Sequence, residues 1–206
     1  MTSVHHTRAF YVINGITLYR IVTVPLLLWL LFTSRYELFK WGIALSFFTD
    51  LIDGFLARTF NVTSIAGTKL DSIGDDLTVA VAVTGLVMIH PAFVKEQLWI
   101  WILLALLFVL QVGYALIRYR KMSNFHTWLA KTAALLQGIF LILTFFIGEP
   151  LPVLFYIAAG ITMLELTEEI VLVYLLPGWR ANVHGIFQVW QEQKQKRAPG
   201  DARPAE

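Results

Sequence analysis

The sequence predicts an all-α, polytopic membrane protein built as a bundle of six transmembrane helices. Of the 206 residues, 57% are hydrophobic and only 15% are charged, and the mean hydropathy is +0.66. Soluble domains carry about 25% charged residues. The apolar residues fall into six runs of roughly 20 residues, each long enough to cross about 30 Å of hydrocarbon.

Composition also limits the domain organisation and the chemistry. We expect residues 1–190 to form one six-helix transmembrane domain and residues 191–206 to form a polar, disordered tail. The chain has no cysteine, which excludes disulfides, zinc–thiolate sites and cysteine nucleophiles. The formal net charge is only +2, so we expect no nucleic-acid partner.

The six spans follow from hydropathy and from the helix-breaking residues between them. Pro91, Pro150 and Pro177 follow apolar runs, and the residue before a proline is disfavoured in a helix. Pro25 lies inside the first run, where a neighbouring helix can absorb the kink. The predicted spans are residues 10–32, 38–58, 68–89, 98–117, 127–147 and 153–176.

Basic residues predict the orientation of the bundle. With a cytoplasmic N-terminus, the outer side carries only Arg35, Lys40 and Lys95, and every other lysine and arginine lies towards the cytoplasm. This asymmetry follows the positive-inside rule. We therefore expect an integral protein of a bacterial or archaeal inner membrane whose functional site faces the cytoplasm.

Four aspartates are concentrated in residues 50–75. Asp50 and Asp53 are three residues apart and Asp71 and Asp75 are four apart, spacings that place side chains on one face of a helix. Two helices, joined by a short break, thus each offer a pair of carboxylates. Small residues that let a backbone or a ligand approach closely accompany them: Gly54, Ala57, Gly67 and Gly74.

Carboxylates in this arrangement indicate a divalent cation. They could simply be solvated helix ends, but their bundle-facing pattern and small neighbours count against that interpretation. Four converging carboxylates repel one another, whereas one or two Mg²⁺ or Mn²⁺ ions make a hard, oxygen-lined site. Two such ions about 4 Å apart stabilise the attacking and leaving oxygens of a phosphoryl displacement. Arg58, one turn beyond Gly54, can hold a phosphate.

The aspartate pattern resembles the signature of the CDP-alcohol phosphotransferases, also called CDP-alcohol phosphatidyltransferases. All eight specified residues occur within 26 positions: Asp50-x2-Asp53-Gly54-x2-Ala57-Arg58-x8-Gly67-x3-Asp71-x3-Asp75. Two further stretches are similar to patterns in the family's first and fifth helices: Asn14-x2-Thr17-x2-Arg20 and Lys131-Thr132.

This resemblance implies a reaction and assigns roles to residues. An alcohol hydroxyl attacks the β-phosphorus of a CDP-linked donor, usually CDP-diacylglycerol, and CMP leaves. The resemblance also implies a homodimer. It assigns two divalent ions, Mg²⁺ or Mn²⁺, to Asp50, Asp53, Asp71 and Asp75, with Asp75 also accepting the alcohol's proton. It assigns the CDP donor to Gly54, Ala57, Arg58 and Gly67, extended by Asn14 and Thr17.

The identity of the alcohol depends on residues outside the motif. Arg118 and Lys131 belong to a basic cluster that is either an anion pocket for a phosphorylated acceptor or the ordinary positive-inside excess. The remaining members of this cluster are Arg120, Lys121 and His126. Three glutamates share a face of the sixth span and predict salt bridges to Arg20 or Lys131, with acceptor binding as the alternative: Glu165, Glu168 and Glu169.

Two other functions use acidic residues in a membrane. A Mg²⁺-dependent intramembrane prenyltransferase binds a diphosphate through two separated aspartate motifs on more helices. A non-enzymatic divalent-cation transporter requires acids spread along a transmembrane path. Here the motif is contiguous and lies at one end of the bundle, which favours the phosphatidyl transfer.

Overall fold

The fold was obtained as a computed structural model, which describes residues 19, 22–60, 65–120, 125, 127–178, 183 and 185–197. Within these ranges, the side chains at 51, 53–60, 65–72, 193 and 195–197 are not described. All regular secondary structure in the described part of the chain is helical, as the sequence predicts. The helices are α1 (Val22–Phe32), α2 (Tyr36–Phe60), α3 (Ile65–Ile89), α4 (Pro91–Glu96), α5 (Leu98–Tyr119), α6 (Trp128–Ile147), α7 (Pro152–Leu175) and α8 (Ile186–Arg197).

Each predicted span corresponds to a helix, with ends that shift by a few residues. The break between the second and third spans is the main difference. We predicted polar loop residues up to 66, but α2 continues to Phe60 and α3 begins at Ile65, so Gly67 lies within the first turn of α3. For the first span, residues 10–18 lie outside the described part of the chain.

The expected disorder from residue 191 onwards is corrected for residues 191–197, which continue α8. Glutamine, lysine and arginine are good helix formers, and side-chain pairs four residues apart stabilise this helix. Gln188 Nε2 donates to Glu192 Oε1 at 3.1 Å, and Lys194 Nζ lies 5.5 Å from the centroid of the Trp190 ring. Residues 198–206 lie outside the described part.

Two described helices, α5 and α6, are long and apolar enough to cross a membrane. The described part of α1 is apolar but shorter. The helices α2, α3 and α7 have 25, 25 and 24 residues, which is sufficient length, but each contains several acidic residues. A bundle of six crossings therefore stays a prediction.

The chain divides into two compact units, residues 1–96 with 138–151 and residues 97–137 with 152–206. In the first unit, helices approach closely at two glycines. A Cβ at Gly42 of α2 would lie 2.6 Å from Leu27 Cδ2 of α1, and a Cβ at Gly85 of α3 would lie 2.6 Å from Phe39 Cζ of α2. The buried Phe39 ring also packs edge-to-face on Phe145 at 5.4 Å between centroids.

In the second unit, α5, α7 and α8 enclose a separate core. The last carbonyl groups of α7 have no hydrogen-bond donor within their own helix. Side chains at the end of α5 supply donors to them. The Tyr119 hydroxyl lies 2.9 Å from the carbonyl oxygens of both Val173 and Leu176, and Arg118 donates to Leu176 O at 3.3 Å. The buried core residues are Ala115, Phe125, Leu172, Val173, Leu176, Val183 and Val189.

A cavity of about 80 Å³ lies in the first unit, where α2 begins and α3 ends. His90 contributes an Nε2 atom that is buried and has no hydrogen-bond partner. Burial lowers the pKa of His90, and the nearby carboxylate of Glu149 opposes that shift. The lining residues are Tyr36, Glu37, Lys40, Ile89, His90, Phe145 and Gly148.

Gly85→Ala tests the contact between α2 and α3. The added methyl would collide with the buried Phe39 ring, and overpacking of a core costs about 1–3 kcal/mol. We expect a lower unfolding temperature in detergent. Gly113→Ala is the matched control, because no atom lies within 4 Å of its added Cβ. Equal unfolding temperatures for the two variants would contradict the close approach.

His90 predicts acid sensitivity of the fold. Because its pKa is lowered in the folded protein, the unfolded chain binds the proton first. The contribution of neutral His90 to the free energy of unfolding is therefore fully present above about pH 6.5. It is lost as the pH falls from there towards the pKa of His90 in the folded protein. We expect the unfolding temperature to drop more between about pH 7 and pH 5 for the wild type than for His90→Gln. Parallel pH curves for the two proteins would contradict this assignment.

Candidate functional site

The inward face of α2 leads directly to the first aspartates. Phe39, Ile43 and Ser46 are buried, with exposed fractions of 0%, 0% and 2%. They follow one another at steps of four and three residues, the spacing of a single helix face. The next step along that face reaches Asp50, which is half-buried, and the one after reaches position 53.

The inward face of α3 leads to the other pair. Leu86, Ala82 and Thr78 are buried, and the same repeat continues through the half-buried Asp75 to position 71. The Thr78 hydroxyl donates to the carbonyl oxygen of Gly74 at 2.8 Å, so its polar group is satisfied within the helix. The neighbouring Asp76 is exposed, in agreement with its position outside the motif.

The contact between α2 and α3 allows the positions of the two aspartate pairs along their helices to be compared. The helices are in contact and are separated by only four residues, 61–64, so they run antiparallel. A Cβ at Gly85 would meet the tip of the Phe39 ring, so these two residues lie at a similar level in the helix pair. Eleven residues, or about 16 Å of helix, then lead from Phe39 to Asp50 and from Gly85 to Gly74, beside Asp75. By the same count, position 53 is level with position 71.

This arrangement fits a divalent cation. Half-buried carboxylates at one height on adjacent helices repel each other in their charged forms, and a hard cation removes that repulsion. The side chains of Asp53 and Asp71 are not described. Among the side chains that are described, no group of three or more potential metal ligands gathers. The metal site of four aspartates therefore stays a proposal.

The residues assigned to the CDP donor lie around the same connection. Gly54, Ala57 and Arg58 occupy the last turns of α2, and Gly67 the first turn of α3, next to the aspartates in the helical sequence. Their side-chain positions are outside the described ones. The remaining assigned residues, Asn14 and Thr17, also lie outside the described part of the chain, as does Arg20.

The basic residues assigned to an acceptor pocket are both exposed. The guanidinium of Arg118 donates to the Leu176 carbonyl, and Lys131 Nζ lies 5.0 Å from the Trp128 ring centroid. Arg120 is also exposed and ends α5 in the left-handed conformation, with φ of 53°. Lys121 and His126 lie outside the described residues. An acceptor pocket therefore stays a proposal.

Two glutamates of α7 have neutral donors as partners. Glu169 is 7% exposed and accepts a hydrogen bond from the Nε2 of Gln111 on α5. Glu168 Oε1 accepts the backbone N–H of Ile186, the first residue of α8, at 3.2 Å. The sequence interpretation considered only basic partners and missed Gln111. A lone amide in the apolar run of α5 was the signal that could have identified it.

The described part of the chain thus defines a class of protein: a helical protein with two helices long and apolar enough to cross a membrane and with half-buried aspartates on two contacting helices. The family model described as CDP-alcohol phosphatidyltransferase matches residues 10–177. Since this match covers most of the sequence, the chain belongs to the CDP-alcohol phosphatidyltransferase family. The family consists of membrane-integral transferases of phospholipid synthesis, which in general depend on a divalent metal. The resemblance in the aspartate motif is thereby confirmed.

A curated relative matches a shorter stretch. The chain is 36% identical over 75 residues to the "Cardiolipin synthase (CMP-forming) / mitochondrial hydrolase fusion protein" of Schizosaccharomyces pombe. The match covers 34% of this chain and 13% of that protein, so the chain spans a small part of the relative's length. The relative is fungal and gives no support to the expected bacterial or archaeal membrane. No solved structure matches the chain.

The buried Gln111–Glu169 pair leads to a stability prediction. Gln111→Leu removes a donor from a buried carboxylate, and an under-satisfied buried polar group costs about 1–3 kcal/mol. We expect a lower unfolding temperature in detergent. Replacing both residues with leucine removes donor and acceptor together and should recover much of the loss. If the double variant were less stable than Gln111→Leu, the pair would not account for the effect.

Proposed function

We propose that the chain transfers a phosphatidyl group from CDP-diacylglycerol to a small alcohol and releases CMP. The new bond joins the alcohol oxygen to the β-phosphorus, and the bond from that phosphorus to the bridging oxygen of CMP breaks. Family membership supports the donor and the reaction class. The observation that carries the proposal is that Asp50 and Asp75 are half-buried and continue the buried faces of two helices in contact.

Asp50, Asp53, Asp71 and Asp75 are the proposed ligands of two divalent ions, Mg²⁺ or Mn²⁺. When bound, such ions neutralise the diphosphate and stabilise the oxygens that attack and leave. The helices contribute the preorganisation, because carboxylates fixed on rigid, packed elements need little rearrangement to reach their ligand. Asp50 continues the buried face of α2, which anchors it against the helix pair.

Asp75 is the proposed general base. Its carboxylate accepts the proton of the alcohol hydroxyl as the oxygen attacks phosphorus. Asp75 is half-buried and follows the buried Gly74. Because glycine has no side chain, Gly74 leaves room for a substrate oxygen to approach the Asp75 carboxylate. Its neighbour Asp76, which is exposed, is not assigned a role in the transfer.

Donor recognition and topology complete the proposal. Gly54, Ala57, Arg58 and Gly67 contact the CDP moiety, with Asn14 and Thr17 extending that site. Six helices cross the bilayer as a homodimer subunit, and the aspartates open towards the cytoplasmic side. That side lets a soluble alcohol and CMP exchange with water while the acyl chains of the donor stay in the membrane.

The acceptor is proposed more broadly, as an alcohol that enters from the basic side of the bundle. Arg118 and Lys131 are exposed cations there and suit a phosphorylated acceptor such as glycerol 3-phosphate or an inositol phosphate. The name of the fungal relative, a cardiolipin synthase (CMP-forming), supports the release of CMP in the proposed transfer.

Asp75→Asn tests the proposed mechanism. The full chain is reconstituted with CDP-diacylglycerol, Mg²⁺ or Mn²⁺ and a panel of these alcohols, and CMP release is measured. Loss of a general base costs about 10²- to 10⁴-fold in turnover, and we expect a decrease of that size. Asp76→Asn is the matched control and should keep near-normal turnover, because Asp76 is exposed and outside the motif.

Two outcomes would contradict the proposal. Near-normal CMP release by Asp75→Asn with metal present would remove Asp75 from the role of base. Absence of CMP release by the wild-type chain with every alcohol of the panel would overturn the transferase itself. A chelator should abolish the reaction, and either metal should restore it.

A further inference from the structure

Helix α8 has three distinct faces. Ile186 and Val189 pack against the core that α5 and α7 form, and Val189 is only 2% exposed. A second face is polar and carries Gln188 and Glu192, which are hydrogen-bonded to each other. The third face carries Phe187 and Trp190, whose exposed fractions are 68% and 55%. Two large aromatic side chains are therefore left uncovered on a helix that is otherwise docked or polar.

Basic residues continue the aromatic face towards the C-terminus. Steps of three and four residues lead from Phe187 through Trp190 and Lys194 to position 197, an arginine. The Phe187 and Trp190 ring centroids are 6.3 Å apart, and Lys194 Nζ lies over the Trp190 ring at 5.5 Å. One stripe of the helix thus carries two exposed aromatic rings followed by the ammonium group of Lys194, and position 197 continues the same face.

The position of α8 identifies what such a stripe meets. It packs at the C-terminal end of α5, a helix that is long and apolar enough to cross a membrane. The last turns of α5 expose Leu116 and Ile117, and Arg118 and Arg120 follow at once. A change from exposed aliphatic to exposed basic residues marks the boundary between acyl chains and headgroups.

The attachment of α8 to α7 holds it in this orientation. Glu168 Oε1 accepts the Ile186 N–H at 3.2 Å, a favourable place for a carboxylate because the helix N-terminus carries partial positive charge. Gly185 precedes α8 with φ of 147°, and a Cβ there would lie 3.1 Å from the same oxygen. The start of the helix is therefore fixed to α7, and its aromatic face cannot rotate freely into the protein.

We propose that α8 is an interfacial helix that places Phe187 and Trp190 at the boundary between headgroups and acyl chains and binds anionic lipid headgroups through Lys194 and Arg197. Tryptophan prefers this boundary because its ring is apolar and its N–H is polar. Each basic residue near an anionic surface contributes attraction to it. This surface is separate from the aspartate motif and does not depend on the proposed transfer.

The absence of cysteine from the chain makes the test direct. Single spin labels are introduced at Phe187→Cys, Trp190→Cys and Gln188→Cys in the full-length protein, reconstituted in bilayers. Gln188 is the matched control, because it lies roughly 160° around the helix from Trp190. For each spin label we compare its accessibility to oxygen, which partitions into the bilayer, with its accessibility to a water-soluble nickel complex. We expect the ratio of oxygen accessibility to nickel accessibility to be several-fold higher at positions 187 and 190 than at position 188.

Lipid composition tests the charged half of the stripe. We expect the ratio at 190 to rise when about a third of a phosphatidylcholine bilayer is replaced with phosphatidylglycerol, and Lys194→Glu with Arg197→Glu to abolish the rise. Equal ratios at 187, 188 and 190 would overturn the interfacial helix. Labels at 187 and 190 that are immobile and shielded from both reagents would overturn it in favour of a protein partner. A high ratio that is insensitive to anionic lipid would overturn headgroup binding by the two cations.

Discussion

The close contact between α2 and α3 at Phe39 and Gly85 is the constraint on which the aspartate site depends. The ring of Phe39 is fully buried and leaves no room for a side chain at position 85. Equal numbers of residues counted from this contact span similar lengths of the two antiparallel helices, because each residue advances by about 1.5 Å. Counted from this contact, Asp50 lies near the level of Gly74 and Asp75.

The distribution of charge follows from the cost of placing ionised groups away from water. The two helices that meet every requirement for crossing a membrane, α5 and α6, are strongly apolar. Asp50 of α2 and Asp75 of α3 are instead half-buried on the inward faces of their helices, and Glu169 of α7 is paired with the donor Gln111. A buried polar group is tolerated when it is hydrogen-bonded, and in the second unit Glu169 accepts from the Gln111 amide and Glu168 Oε1 from the backbone N–H of Ile186.

Much of the helical fold could be predicted from the sequence, because apolar runs of membrane length leave few alternatives. The aspartate spacing likewise predicted that Asp50 and Asp75 lie on the inward faces of two helices. The short helices could not be predicted in this way. α4 is a short helix of six residues that begins at Pro91. The sequence of α8 is mostly polar, like a tail, and only the structure shows that Val189 is buried in the core of the second unit. The partner of Glu169 also depends on which α5 residue faces α7, and sequence spacing within one helix does not contain that information.

The register described for α2 and α3 has a consequence for how this pair of helices can change in length. Residues 61–64 connect the pair at the end near the aspartates, so extra residues there leave both helix faces and the Phe39–Gly85 contact in place. A residue inserted between Phe39 and Asp50 would instead turn Asp50 by about 100° and shift it by 1.5 Å. An insertion between Gly74 and Gly85 would turn Asp75 in the same way and would not restore the direction of Asp50, so the lengths of both segments should stay constant.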